Sequence, residues 1–140
     1  MIVVHDVNDV LKIDICGIIF HVSPLTQRQK MDVMNSWSTK SGEATNNSLA
    51  AVEKLMRYMI RDVEGLSTSN GSSYRLEKED GKLTDRCIDN LLNLPISTKL
   101  TVALQNFITS IPEKEFIDFQ TGKKLEDVKF VSKEDPISKK

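Results

Sequence analysis

Residues 10–22 read Val-Leu-Lys-Ile-Asp-Ile-Cys-Gly-Ile-Ile-Phe-His-Val, and this stretch decides the fold class. Leu11, Ile13 and Ile15 alternate with Lys12 and Asp14, the two-residue period of a strand with one buried face. Cys16-Gly17 interrupts the alternation, and glycine accepts the positive φ that a two-residue hairpin turn demands. Ile18 to Val22 then resume with β-branched and aromatic residues. The stretch predicts a β-hairpin of residues 9–15 and 18–22, to which Ile2 to Val4 can add a third short strand.

Downstream the hydrophobic period changes from two to that of helices. Thr26 and Gln29 have capping-box spacing, each side chain placed to satisfy a free backbone N–H of the other. They open a predicted helix over 27–37, with Met31, Met34 and Trp37 at steps of three. Residues 38–48 lack any large apolar side chain and read as a polar loop ending at Ser48, a suitable N-cap. Leu49, Val52, Met56, Met59, Ile60 and Val63 then mark one face of a second helix, with Glu53, Lys54, Arg57 and Arg61 on the other. Gly65 and the polar run 67–73 end it; Tyr74 to Leu76 reads as a short strand and Asp80-Gly81 as a turn. Thr84 caps a helix over 85–93 that turns Ile88, Leu91, Leu92 and Leu94 inward. After Pro95, Leu100, Leu104, Phe107, Ile108 and Ile111 stripe a last helix over 98–110.

Pro112 marks a change of character. Seven Lys and seven Asp/Glu make half of residues 113–140 charged, a density that opposes burial of enough apolar area to offset ordering entropy. The expected organisation is a folded α+β domain over 1–112, mostly helical with an N-terminal β-hairpin, and a flexible charged C-terminal tail over 113–140. Phe116, Ile117, Phe119 and Phe130 stand out in that tail as spaced apolar anchors.

The 140 residues carry 19 Lys/Arg and 20 Asp/Glu, a formal net charge of −1, with 39% hydrophobic residues. That balance argues against an electrostatic nucleic-acid binder and gives no cause for attraction to anionic membranes. The N-terminus lacks the basic start and extended apolar core of a signal peptide, and no apolar run approaches the roughly 20 residues needed to cross a bilayer. Two His and two Cys form no metal-ligand spacing, and Cys16 and Cys87 are expected as thiols. On the hairpin, the plainer reading makes Cys16 a buried filler and His21 a surface residue. Neither a nucleophile elbow nor a phosphate-binding glycine loop is present, so the sequence predicts no enzyme, no metal and no cofactor.

Methionines remain as the informative side chains. Met31 and Met34 lie on one predicted helix, Met56 and Met59 on the next. Such flexible thioethers fill irregular cores, or line surfaces that accept varied apolar partners. As partner-contact residues the sequence nominates Met31, Met34, Trp37, Met56 and Met59, with Phe116 and Phe119 as anchors in the tail.

The order of parts resembles the tail assembly chaperones of long-tailed bacteriophages, over roughly residues 9–112. The resemblance is carried by I-I-F-H-V-S-P-L-T (18–26), M-R-Y-M-I-R-D-V-E-G (56–65), Y-R-L-E-K-E-D-G-K-L-T (74–84) and C-I-D-N-L-L (87–92). It implies a non-enzymatic protein of the host cytoplasm that coats the tape measure protein and keeps its apolar helices soluble. It also implies recruitment of the tail tube protein; beside it, the chain is expected to bind an extended helical partner and to self-associate along it. In that family a longer product often arises by ribosomal frameshifting, and the closing Ser138-Lys139-Lys140 suits an A-rich slippery run. Two other readings stand beside it. One is a structural tail or tail-completion protein that stays in the virion. The other is a small nucleic-acid-binding regulator using Lys54, Arg57 and Arg61 as a basic strip.

Overall fold

The structure, a computed structural model, describes residues 9–37, 44–109, 116–118 and 121–134. The suggested strand at Ile2–Val4 lies outside the described residues. The hairpin forms where its alternation places it: β1 spans Val10–Ile15 and β2 spans Ile18–Val22. Cys16 and Gly17 make the turn with φ of 53° and 89°, and Oδ1 of Asp14 accepts the Gly17 N–H at 2.8 Å. Two successive positive φ values give a turn whose twist matches that of the strands, and the glycine takes its value without strain.

This hairpin is the centre of a larger sheet. After helices α1 (Gln27–Trp37) and α2 (Ala44–Met59), strand β3 (Ile60–Glu64) pairs antiparallel with β2. The small hairpin β4 (Lys78–Glu79) and β5 (Lys82–Leu83) precedes helices α3 (Asp85–Leu92) and α4 (Ser97–Thr109). A second small hairpin, β6 (Ile117–Asp118) and β7 (Lys123–Lys124), leads to β8 (Val128–Glu134). The main sheet is four-stranded and antiparallel in the order β3-β2-β1-β8. With four helices beside it, the fold is α+β.

Register explains which face is buried. Val63, Phe20, Ile13 and Phe130 form one cross-strand row, and Ile18, Ile15 and Val128 form the next. Leu11, Ile13 and Ile15 are fully buried, and Lys12 and Asp14 between them point the other way. The buried face shares one core with Leu55, Met56 and Met59 of α2, Ile88 and Leu91 of α3, and Leu100, Leu104 and Phe107 of α4.

Four sequence-based expectations change here. Residues 60–63 leave the helix for β3, because Ile60 and Val63 pair with Val22 and Phe20, and that edge of the hairpin needs hydrogen-bond partners. α2 starts at Ala44, so Ser48 is inside the helix rather than its cap. The stretch 44–48 has no large apolar residue and carries no periodic signal. Tyr74 to Leu76 is not a strand; the local pairing sits at β4 and β5, around Asp80-Gly81.

The fourth change concerns the tail. The folded body does not end at Pro112: β8 pairs with β1 along its length, and Phe116, Leu125 and Val128 are buried. Phe116 meets the Phe107 ring with centroids 6.2 Å apart at 47°. Beside them the buried Asn106 side chain pairs with the Ile117 backbone like a neighbouring strand. Its Nδ2 donates to the Ile117 carbonyl at 3.0 Å, and its Oδ1 accepts the Ile117 N–H at 3.0 Å. A densely charged segment still docks when its few apolar residues fall at core positions and its backbone completes a ladder.

Candidate partner-binding surface

α1 and α2 pack against each other, and polar side chains join them. The capping box at the start of α1 closes as its spacing predicts. Gln29 Oε1 accepts the Thr26 N–H at 3.0 Å, and Thr26 Oγ1 accepts the Gln29 N–H at 3.1 Å. Asp32 then binds α2 twice: Lys54 Nζ donates at 2.8 Å to one carboxylate oxygen and the Tyr58 hydroxyl donates to the other. The lysine and tyrosine bonds hold the Asp32 carboxyl below its ordinary range. The same carboxylate, with some burial, pushes the Tyr58 phenol up.

With one side of α1 turned to α2 and Val33 buried in the core, the remaining side faces outward. Met31 is 56% exposed there and Met34 53%. They sit three residues apart, hence as neighbours on one helix face. Arg28, Asn35 and Gln27 share this exposed side. Leu49, read as part of the second helix's apolar stripe, is instead exposed on α2.

The other nominated contacts have different fates. Met56 and Met59, 1% and 0% exposed, are core residues, as is the fully buried Phe116. Their assignment to a contact surface is corrected: each is enclosed by the sheet and helices that its own element packs against. Trp37 ends α1, but its side chain lies outside the described residues, as does Phe119 altogether. Of the seven nominated side chains, the structure places Met31 and Met34 together on an open face.

The basic strip does not survive as a strip. Lys54 is engaged by Asp32, while Arg57 donates to the Leu83 carbonyl at 3.1 Å and pairs with Asp85. Arg61 belongs to β3 rather than to a helix, and its Nε donates to Ser23 Oγ at 2.9 Å. The hairpin pair is also rearranged relative to expectation. Cys16 is an exposed turn residue, and His21 is buried, its Nε2 lying 2.5 Å from Oε2 of Glu64. Cys16 is in the turn, so it shares no arm-to-arm register with His21.

A cavity of about 900 Å³ opens beside the Cys16 turn, lined by Asp14, Glu126 and Asp127 together with Lys124 and Lys129. A tighter one of about 180 Å³ lies between Leu66, Tyr74, Asn90 and Leu94. At its edge the Tyr74 hydroxyl donates to the buried Cys87 Sγ at 3.5 Å and accepts from Asn90 at 3.3 Å. Burial, chiefly, raises the Tyr74 phenol above its ordinary range. Among the described residues, no group of three His, Cys, Asp or Glu is placed to hold a metal ion, and no helix is long and apolar enough to cross a membrane.

Comparison with known proteins returns no significant match to any protein-family model, curated protein or solved structure.

Proposed function

We propose that this chain is a non-enzymatic binding protein that holds an apolar helical segment of a longer partner against the outward face of α1. In the terms of the family it resembles, it is a phage tail assembly chaperone acting in the host cytoplasm. The partner is then the tape measure protein, around which the tail tube protein assembles. One observation supports this reading: two methionines stand more than half exposed on a helix that packs against α2 and buries Val33 in the core. Thioethers adapt to varied apolar shapes, which suits a surface that meets many different turns of a long helix.

Covering the exposed halves of Met31 and Met34 is worth roughly 1.5–3 kcal/mol in total. One copy therefore binds weakly. Repetition along a long partner supplies the rest, because self-associated copies convert successive contacts into intramolecular ones.

Co-expression with the proteins encoded by neighbouring genes, followed by affinity purification, tests the proposal. A long helical protein should co-purify with the wild-type chain and be lost with Met31→Gln/Met34→Gln. If no such partner co-purifies, the chaperone reading fails. Mass spectrometry of purified particles tests the virion alternative, since an assembly chaperone is absent from the finished particle.

A further inference from the structure

We infer that the segment seated on α1 is acidic as well as amphipathic: an apolar helix stripe flanked by carboxylates. This rests on the reading of α1 as the docking face and adds the charge of its occupant. The exposed Arg28 lies three residues before Met31 and the half-buried Lys30 four before Met34, so each exposed methionine has a cation as its helix neighbour. Among the described residues neither cation has an ion-pair or hydrogen-bond partner for its side chain.

Their position makes the point stronger. The first turn of α1 contains no acidic residue, so Arg28 and Lys30 add to the positive end of the helix dipole. For the isolated helix that placement is unfavourable. The acid that α1 does carry, Asp32, is committed to Lys54 and Tyr58 on α2. The outward face thus combines two apolar side chains with uncompensated positive charge, which a stripe flanked by Glu or Asp complements.

Among the described residues, the apolar area of this face falls short of what a stable self-dimer needs. Specific interfaces bury roughly 1,200–2,000 Å² in total. Two half-exposed methionines are a small fraction of that. A membrane surface needs a broad apolar face of large side chains; among the described residues α1 offers two, Met31 and Met34, with Val33 in the core. A short acidic helix held by a few contacts fits the size and the charge.

The test uses the full chain and two synthetic helical peptides with the same leucine stripe, one flanked by Glu and the other by Lys. Methionine methyl signals are followed by NMR at about 0.01 M and about 1 M salt, where the screening length is roughly 30 and 3 Å. At low salt the Glu peptide should bind about tenfold more tightly than the Lys peptide, and the difference should vanish at high salt. Arg28→Glu/Lys30→Glu should reverse the order while remaining folded by circular dichroism, since acids favour a helix start. Equal binding of both peptides, with Met31 and Met34 shifting, overturns the charge inference and leaves the docking face standing. No shift of these signals with either peptide at millimolar concentration overturns the docking face itself. Preferential binding of anionic lipid vesicles through the same methionines also overturns the inference, assigning the face to a membrane.

Discussion

Met31 and Met34 on α1, and Met56 and Met59 on α2, are the same residue type at the same spacing on two helices of one pair. One pair is more than half exposed and the other is fully enclosed. The difference lies in what each helix is packed against. α2 is covered by α1 on one side and belongs, through Leu55, Met56 and Met59, to the core shared with the sheet and α4. α1 meets α2 through a polar clamp at Asp32, puts Val33 into the core, and leaves its methionines outside. A methionine's role therefore follows from its helix's neighbours, which no local pattern encodes.

The comparison can be broken at several points, and the largest effects belong to the enclosed side. Phe116→Ala should lower the unfolding free energy by about 3–5 kcal/mol, because it empties a fully buried ring site against Phe107. Denaturant unfolding measures this; a loss below about 0.5 kcal/mol, as at a surface site, would show that Phe116 is not a core residue. Met59→Ala should cost about 2–5 kcal/mol by the same measurement. If it were as mild as Met31→Ala, the contrast between the two helices would collapse.

Smaller effects sharpen rather than break it. Thr84→Ala should cost about 1 kcal/mol, since Thr84 Oγ1 accepts the Cys87 N–H at the start of α3 and also donates to Glu77. The clamp between α1 and α2 predicts a pH dependence with a definite sign. The Asp32 carboxyl is depressed below its ordinary 3.8, so its contribution is complete above that value and is lost as pH falls through the folded one. Tyr58 is raised above its ordinary 10.0, so its contribution is present below that value and lost as pH rises through the folded one. Asp32→Asn should flatten both limbs of a thermal-midpoint profile; an unchanged profile would remove the clamp from the account. Least of all, Met31→Gln/Met34→Gln should alter stability by at most about 0.5 kcal/mol while abolishing partner capture. A large loss of stability there would place these methionines in the core after all.

How far the sequence carried the reading depended on the range of the interactions involved. The hairpin at 10–22, the Thr26–Gln29 capping box and the Thr84 cap were legible because each is decided within a few residues. The end of α2 was not, because Ile60 and Val63 satisfy helical spacing and strand pairing equally well. A β2 edge some forty residues earlier in the chain settles it. The tail was misread for a related reason. Its charge density describes its solvent side, whereas Phe116, Leu125 and Val128 and the ladder to β1 hold it in place.

For the candidate surface, residue type nominated seven side chains, and packing then separated them. Met31 and Met34 remain outside, and Met56, Met59 and Phe116 are enclosed. Arg28 and Lys30 were missed because a helix start rich in cations becomes noticeable only when no acid is found facing them.

By itself the sequence determined the α+β class, the hairpin that seeds the sheet, the helix starts at 27 and 85, and the apolar residues available for a core. Each of these depends on local hydrogen bonding or short-period alternation. Tertiary structure alone decided that β3 and β8 complete the sheet, that the charged segment belongs to the fold, and which methionines face solvent. Those outcomes depend on pairing and burial between residues far apart in the chain, where one surface competes with another for the same core.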